Sequence, residues 1–161
     1  MSMHELSALL WKERELLETL LFKLDEEQLL LVAGKTRWLE RATRETEQVT
    51  TLLRELSLAR TVEVAAVAQQ WGADEDISLR DLAAKSPEPV WSEILESHLD
   101  GLVDLVARIQ SVRDENVRLL RSASRATQET IANINVAPST YDSSGFASAR
   151  SDGARLLDKE I

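Results

Sequence analysis

The residues that most often end helices are scarce in this chain and fall at only a few places. Its 161 residues include five Gly and three Pro. Three long stretches are separated by Gly34, Gly72, Pro87, Pro89 and Pro138. Leu, Ala, Glu and Arg dominate these stretches, and all four favour helices. The sequence therefore predicts long helices and an all-α fold.

Apolar residues recur every three or four positions within these stretches, as they do on the buried face of an amphipathic helix. The stripe of the first stretch comprises Leu6, Leu10, Leu17, Leu20, Leu24 and Leu31. The inner positions of the last stretch are Trp91, Leu95, His98, Leu102, Leu105, Ile109, Val112, Asn116, Leu119 and Ala123. We predict helices at about 2–33, 36–71, 79–84 and 89–135.

The connections predict how these helices are arranged. Gly34 stands where a C-cap glycine belongs, and a short connection there places the first two helices antiparallel. Ser78 and Asp81 have the capping-box spacing and open the short helix. We therefore expect residues 1–137 to form an antiparallel bundle of three long helices, with a short helix in the second connection. A flexible C-terminal tail at 138–161 follows.

The composition argues against several classes of function. The formal net charge of −9 makes nucleic acid a poor partner, because binding it needs a cationic surface. Cysteine is absent, which excludes disulfides and thiolate chemistry. No apolar run approaches the roughly 18 residues of a membrane span, and the N-terminus lacks the basic start of a secretory signal. We expect a cytoplasmic protein.

The pattern of titratable residues predicts neither an enzyme nor a metal or cofactor site. His4 and His98 lack partners at metal-ligand spacing, and the Glu-x-x-His pairs of di-iron bundles are absent. His98 is interpreted as a core or boundary histidine. Glu13 and Glu27 are interpreted as residues at the edge of the apolar stripe.

Two features leave alternatives open. Asn116 is either a boundary residue or a buried polar group that fixes the register of the helices. The tryptophans either cap the ends of the bundle core or include a hot spot for a partner; they are Trp11, Trp38, Trp71 and Trp91.

The end of the last helix has the weakest core-forming sequence. Residues 122–137 read SASRATQETIANINVA, in which small and polar residues outnumber the apolar ones. At about 1.5 Å per residue, the last helix is about 70 Å long and the first about 45 Å. The last helix therefore extends past the first by several turns, and a marginal helix end followed by a flexible tail favours folding on binding.

Tyr141 is the only tyrosine and lies in the predicted tail, within the sequence PSTYDSSG. An aromatic residue there has no core to serve, which favours a recognition role. A tail tyrosine without any role is the alternative.

Three stretches together resemble the FlgN family, the flagellar export chaperones for hook-associated proteins. They are the opening helix LSALLWKERELLETLLFKLDEEQLLLVAGK, its continuation TRWLERATRETEQVTTLLREL and the tail piece STYDSSG. With the long last helix, the resemblance covers nearly the whole chain. The helix–glycine–helix beginning combined with the tail Tyr-x-x-x-Gly carries the resemblance, because helical stretches alone are common to many bundles. The connector at 73–89 and the long tail beyond Gly145 depart from a minimal chaperone of this kind.

The resemblance implies a small, acidic, cytoplasmic helical protein that binds the C-terminal helical segments of hook-filament junction proteins. Such a chaperone keeps these segments unassembled and delivers them to the export gate, so it meets the membrane only through the export apparatus. It also implies that the C-terminal region binds the client. Tyr141, at the matching position, is implied to dock to the export gate protein.

Client contacts are expected near the end of the last helix, which offers an apolar surface to a client helix. The candidates are Leu119, Leu120, Ala123, Ile131 and Ile134. Ile131 and Ile134 are bulky residues in a segment with no obvious internal partner. Client binding would order this segment and complete a bundle in trans.

Two other classes of function remain to be weighed. The first is a helical adaptor or scaffold that self-associates through its Leu stripes and has no secretion role. The second is an enzyme or metal carrier of the helical-bundle class, which would need clustered His and carboxylates that the sequence lacks.

Overall fold

The computed structural model describes residues 3–136. Its elements are α1 (Met3–Val32), a 3₁₀ helix (Thr36–Trp38), α2 (Leu39–Gln70), α3 (Leu79–Ala84) and α4 (Pro89–Val136). Within the described range 89% of residues are helical and none is in a strand, so the prediction of an all-α fold is confirmed. The predicted tail at 138–161 lies outside this range. None of the helices described is both long and apolar enough to cross a bilayer.

Two glycines end the first two long helices through the same local geometry. Gly34 and Gly72 have φ angles of +66° and +67°, which residues with a Cβ rarely adopt. After α1, the Lys35 N–H donates to the Leu30 carbonyl at 2.9 Å and the Gly34 N–H donates to the Leu31 carbonyl at 3.2 Å. This pair of bonds is a Schellman motif, which satisfies carbonyls that the helix end would otherwise leave free. Gly34 is therefore a C-cap glycine, as the sequence predicts.

Salt bridges between α1 and α2 show the relative direction of these two helices. Arg60 Nε lies 2.8 Å from Glu13 Oε2, and Lys23 Nζ lies 2.9 Å from Glu45 Oε2. The later residue on α1 pairs with the earlier residue on α2. The two helices therefore run in opposite directions along their shared contact.

Contacts between α1 and α4 show that these two helices are not antiparallel. Ser7 Oγ lies 3.2 Å from His98 Nε2, and Asn116 Nδ2 donates to the Leu24 carbonyl at 2.9 Å. Residue numbers increase together on the two helices. α1 and this part of α4 therefore run in the same direction.

The core consists of the apolar stripes that the periodicity identifies. Its most deeply buried large side chains are Leu6, Leu10, Val67, Leu82 and Leu95. Leu82 lies on α3, where the Ser78 Oγ caps the helix by accepting the Asp81 N–H at 3.1 Å. This cap satisfies an orphan donor of a six-residue helix. The connector between α2 and α4 is thus ordered and contributes to the core.

The described residues fall into two compact units, divided between Leu119 and Leu120. The first unit contains α1, α2, α3 and α4 up to Leu119. The second unit contains the described part of the chain from Leu120 onward.

Candidate partner-binding surface

The second unit presents its side chains to solvent from Leu120 to Asn135. Every residue from Leu120 to Asn135 is exposed. The exposure includes three large apolar side chains: Leu120 is 49% exposed, Ile131 54% and Ile134 67%. Bulky apolar side chains that stay this exposed along one helix indicate a surface for a partner.

The predicted client contacts do not all lie on the same face of α4. Residues 11 and 14 positions apart on an α-helix are close to three and four whole turns apart. Ile131 and Ile134 therefore share the face of Leu120, and Ala123, one turn from Leu120, lies at its edge and is exposed. Leu119 is rotated away from this face, is half-buried and belongs to the first unit.

Two threonines in the second unit satisfy their hydroxyls on the backbone of their own helix. Thr127 Oγ1 donates to the Ala123 carbonyl at 3.0 Å, and Thr130 Oγ1 donates to the Ala126 carbonyl at 2.9 Å. These hydroxyls make no demand for a polar partner elsewhere. An apolar surface can thus cover this helix without leaving a threonine hydroxyl buried and without a hydrogen-bond partner.

Tyr141, the residue predicted to dock to the export gate, lies outside the described residues. Its role stays a prediction.

Asn116 is buried and connects α4 to α1. Only 3% of the residue is exposed, and its amide nitrogen donates to the Leu24 carbonyl. Its Oδ1 is buried with no hydrogen-bond partner among the described residues. A one-turn slip between α1 and α4 would break the hydrogen bond from Asn116 Nδ2 to the Leu24 carbonyl. Both Nδ2 and Oδ1 of Asn116 would then be buried without partners. Of the two readings, the structure favours the register-fixing one.

His98 is a core histidine, as predicted from the sequence. It is 3% exposed, contacts Ser7 through Nε2 and meets the Trp11 ring edge-on at a centroid distance of 5.0 Å. Burial lowers the pKa of its imidazole, and the nearby positive charge of Arg14 lowers that pKa further. Among the described residues no group of three His, Cys, Asp or Glu side chains is placed to hold a metal.

The interpretation of Glu13 as an edge residue is wrong. Glu13 is 8% exposed, and its carboxylate forms an ion pair with the Arg60 guanidinium of α2. The contact between Arg60 Nε and Glu13 Oε2 is 2.8 Å long, and Arg60 lowers the pKa of Glu13 both by its charge and as a hydrogen-bond donor. Burial raises the pKa of Glu13, and Arg60 opposes that rise. Glu27, in contrast, is half-buried, and desolvation raises the pKa of its carboxyl.

The Glu13–Arg60 pair lines an open groove that the sequence does not reveal. The groove has a volume of about 420 Å³, and its walls are mostly apolar. Leu79 of α3 and Leu102 of α4 contribute buried walls, whereas Val106 of α4 is exposed at its side. Recognising it from sequence would require knowing which faces of four helices meet.

The tryptophans divide into two groups. Trp71 and Trp91 are half-buried and pack against the core. Trp11 and Trp38 are 55% and 45% exposed, and an arginine guanidinium lies 5.0 Å from the ring of each. Capping of the core therefore accounts for two of the four, and cation–π contacts stabilise the exposed pair.

A model of a protein family described as FlgN protein matches residues 1–149 of the chain. Searches of curated proteins and of solved structures gave no match.

Proposed function

Because the chain belongs to the FlgN family, whose members are flagellar export chaperones, we propose that it binds the C-terminal helical segments of hook-filament junction proteins. It keeps these segments unassembled and delivers them to the flagellar export gate. The work consists of binding and release in the cytoplasm, with no chemical turnover and no cofactor.

The observation that carries this proposal is the exposed apolar face formed by Leu120, Ile131 and Ile134. Complete burial of a Leu or Ile side chain contributes about 1.5–3 kcal/mol. Each of the three is roughly half exposed, so a covering helix gains on the order of 3 kcal/mol from them together. That gain corresponds to about two orders of magnitude in affinity.

An amphipathic client helix fits such a face because its own apolar residues recur every three or four positions. A helical segment that assembles with other copies in a filament presents an apolar stripe of this kind. Covering the stripe with α4 prevents premature assembly.

Tyr141 is proposed to contact the export gate. This part rests on the family resemblance and on its position beyond the last helix. Client binding and gate docking then use different parts of the C-terminal region.

The first test is titration calorimetry of the full chain against the C-terminal helical segment of a hook-filament junction protein. The double variant Ile131→Asp with Ile134→Asp should weaken binding by at least about thirtyfold, because it loses apolar burial and places two charges in the contact. Truncation after Ala123 should abolish binding.

The matched control adds the same two carboxylates to the opposite face of the same helix segment. Ser122→Asp with Asn133→Asp does this, because both residues are exposed and lie about half a turn from the apolar face. The control should bind as the wild type does. Equal affinity for the wild type and the Ile131/Ile134 variant would contradict the proposed contact.

Gate docking is tested by Tyr141→Ala with two readouts. The variant should bind the client segment normally while secretion of the junction protein falls. If secretion and client binding both remain at wild-type levels, Tyr141 has no role in docking.

A further inference from the structure

The solvent side of α1 carries three large apolar residues that stay exposed. Trp11 is 55% exposed, Phe22 59% and Leu29 70%. Steps of 11 and then 7 residues separate them. These steps are close to three and two whole turns, so the three side chains lie along one line of the helix. Single exposed apolar residues are ordinary, whereas large ones aligned on one helix indicate a surface for a partner.

Acidic residues occupy the remaining positions of this line. Steps of three or four residues lead from the first apolar residue to the last, and every residue reached is exposed. We call these six positions the α1 outer strip; they are Trp11, Glu15, Glu18, Phe22, Asp25 and Leu29. At about 1.5 Å per residue, the strip is about 27 Å long. None of its three carboxylates forms an ion pair with another described residue.

The basic residues of α1 near the strip do not neutralise it. Lys23 pairs with other carboxylates, among them that of Glu45 on α2 at 2.9 Å. The Arg14 guanidinium is turned toward α4, where it occupies the space that a Cβ on Gly101 would need. Lys12 is rotated by about 100° from the line of the strip. The strip therefore combines exposed apolar surface with negative charge that no described residue compensates.

This charge argues against three kinds of occupant. A second copy of α1 would bring the same three acids against the strip, and like charges at facing positions repel. An anionic lipid surface attracts basic segments, and nucleic acid requires a cationic surface. A protein segment that presents both apolar and basic side chains is the occupant that the strip complements.

We propose that the α1 outer strip binds a basic amphipathic helix of another protein. Side chains on one face of a helix recur every three or four positions, which is also the spacing of the strip. Lys or Arg of the partner can therefore lie opposite the acids while its apolar residues cover the exposed rings. Apolar burial provides affinity, and the charges select the partner and speed its association.

The proposed surface belongs to the first unit, and it uses none of the residues of the client-binding face. About 18 residues of a partner helix are enough to span it. The chain would thus have two surfaces for proteins, one on each unit.

Fluorescence anisotropy of a labelled synthetic peptide, titrated with the full chain, tests this proposal. The probe is a helix of about 18 residues built from Leu, Ala and Lys, in which Leu and Lys share one face. A second peptide with Glu in place of each Lys measures the contribution of charge. The wild-type chain should bind the Lys peptide at least about tenfold more tightly than the Glu peptide.

Two double variants separate the apolar part of the strip from the charged part. Phe22→Ser with Leu29→Ser removes exposed apolar surface and should weaken binding of the Lys peptide by at least about tenfold. Glu15→Lys with Glu18→Lys should weaken it by a similar factor and strengthen binding of the Glu peptide. Such an exchange of preference cannot arise from loss of folding.

Matched controls place the same changes on α2. Leu58→Ser with Val62→Ser removes side chains that are 70% and 62% exposed. Glu47→Lys with Glu55→Lys makes the same change in net charge at exposed positions. At an ionic strength of about 0.15 M, distant charges are largely screened, so both controls should bind the Lys peptide as the wild type does.

Equal losses in the strip variants and in the controls would show a non-specific attraction to an acidic chain and contradict the proposal. Failure of the wild type to bind the Lys peptide, or equal binding of the two peptides, contradicts it as well. Binding to phosphatidylglycerol vesicles, or dimerisation, that is lost in the Phe22/Leu29 variant would assign the strip to a lipid surface or to a second copy instead. None of these results depends on client binding, so all leave the proposed chaperone function standing.

Discussion

Replacing Arg60 by Met tests the role of the buried ion pair between α1 and α2. The substitution keeps most of the side-chain volume and removes the cation that lies 2.8 Å from the Glu13 carboxylate. The Glu13 side chain is 10% exposed and that of Arg60 28%. Breaking a fully buried pair costs about 3–5 kcal/mol, because the remaining charge is left without compensation. Since Arg60 borders solvent, water can hydrate part of the Glu13 carboxylate once the guanidinium is gone, and we expect a loss of about 2–3 kcal/mol at neutral pH.

The loss should depend on pH, and its sign follows from the pKa of Glu13. Burial raises that pKa above the usual value even with Arg60 present, and Arg60 opposes the rise. Removing Arg60 therefore raises the pKa further. A carboxyl with a raised pKa in the folded state stabilises the fold below its unfolded pKa and loses this contribution as pH increases through the folded pKa. The deficit of Arg60→Met should consequently shrink as pH falls toward the ordinary pKa of a glutamate carboxyl.

Urea denaturation at several pH values measures both effects. The double variant Glu13→Gln with Arg60→Met removes both charges and should recover most of the loss at neutral pH, because a neutral amide is cheaper to bury than a carboxylate. A loss below about 0.5 kcal/mol at neutral pH, or a loss that does not change with pH, would refute the assignment of a desolvated charge pair.

Two further substitutions test contacts of α4 with α1. Asn116→Ala removes the donor to the Leu24 carbonyl and should lower the free energy of unfolding by about 1–2 kcal/mol in urea denaturation, whereas the exposed Gln110→Ala on the same helix should change it by less than about 0.5 kcal/mol. Gly101→Ala should raise helix stability by up to about 1 kcal/mol. The new Cβ would lie 2.8 Å from Arg14 Cζ, so the Arg14 guanidinium must move. Because this guanidinium lies over the Trp11 ring, the tryptophan fluorescence should change.

The ends and faces of the helices are largely predictable from the sequence, because they depend on local chemistry. Gly34 supplies the left-handed residue that follows the end of α1, and the Leu stripes locate the core. Glu13 shows where local reasoning stops. A carboxylate that interrupts the Leu stripe is expected at the edge of that stripe, and the sequence does not reveal that Arg60 of another helix lies opposite it.

The candidate surface shows a similar division. Ile131 and Ile134 are recognisable from sequence as bulky residues in a weakly apolar segment, and both are exposed. Leu119 is an inner position by the periodicity of the last helix, and only Leu120 shares the face of the two isoleucines, because one residue rotates the side chain by about 100°.

Hydrogen exchange of the full chain, with and without a junction-protein C-terminal segment, tests the central claim most directly. Backbone amides between Leu120 and Val136 should exchange markedly more slowly when the client is bound, because a partner helix covers an exposed face. Amides around Asn116 should change little, because they are already packed in the first unit. Protection confined to residues before Leu119, with none gained after it, would contradict the account.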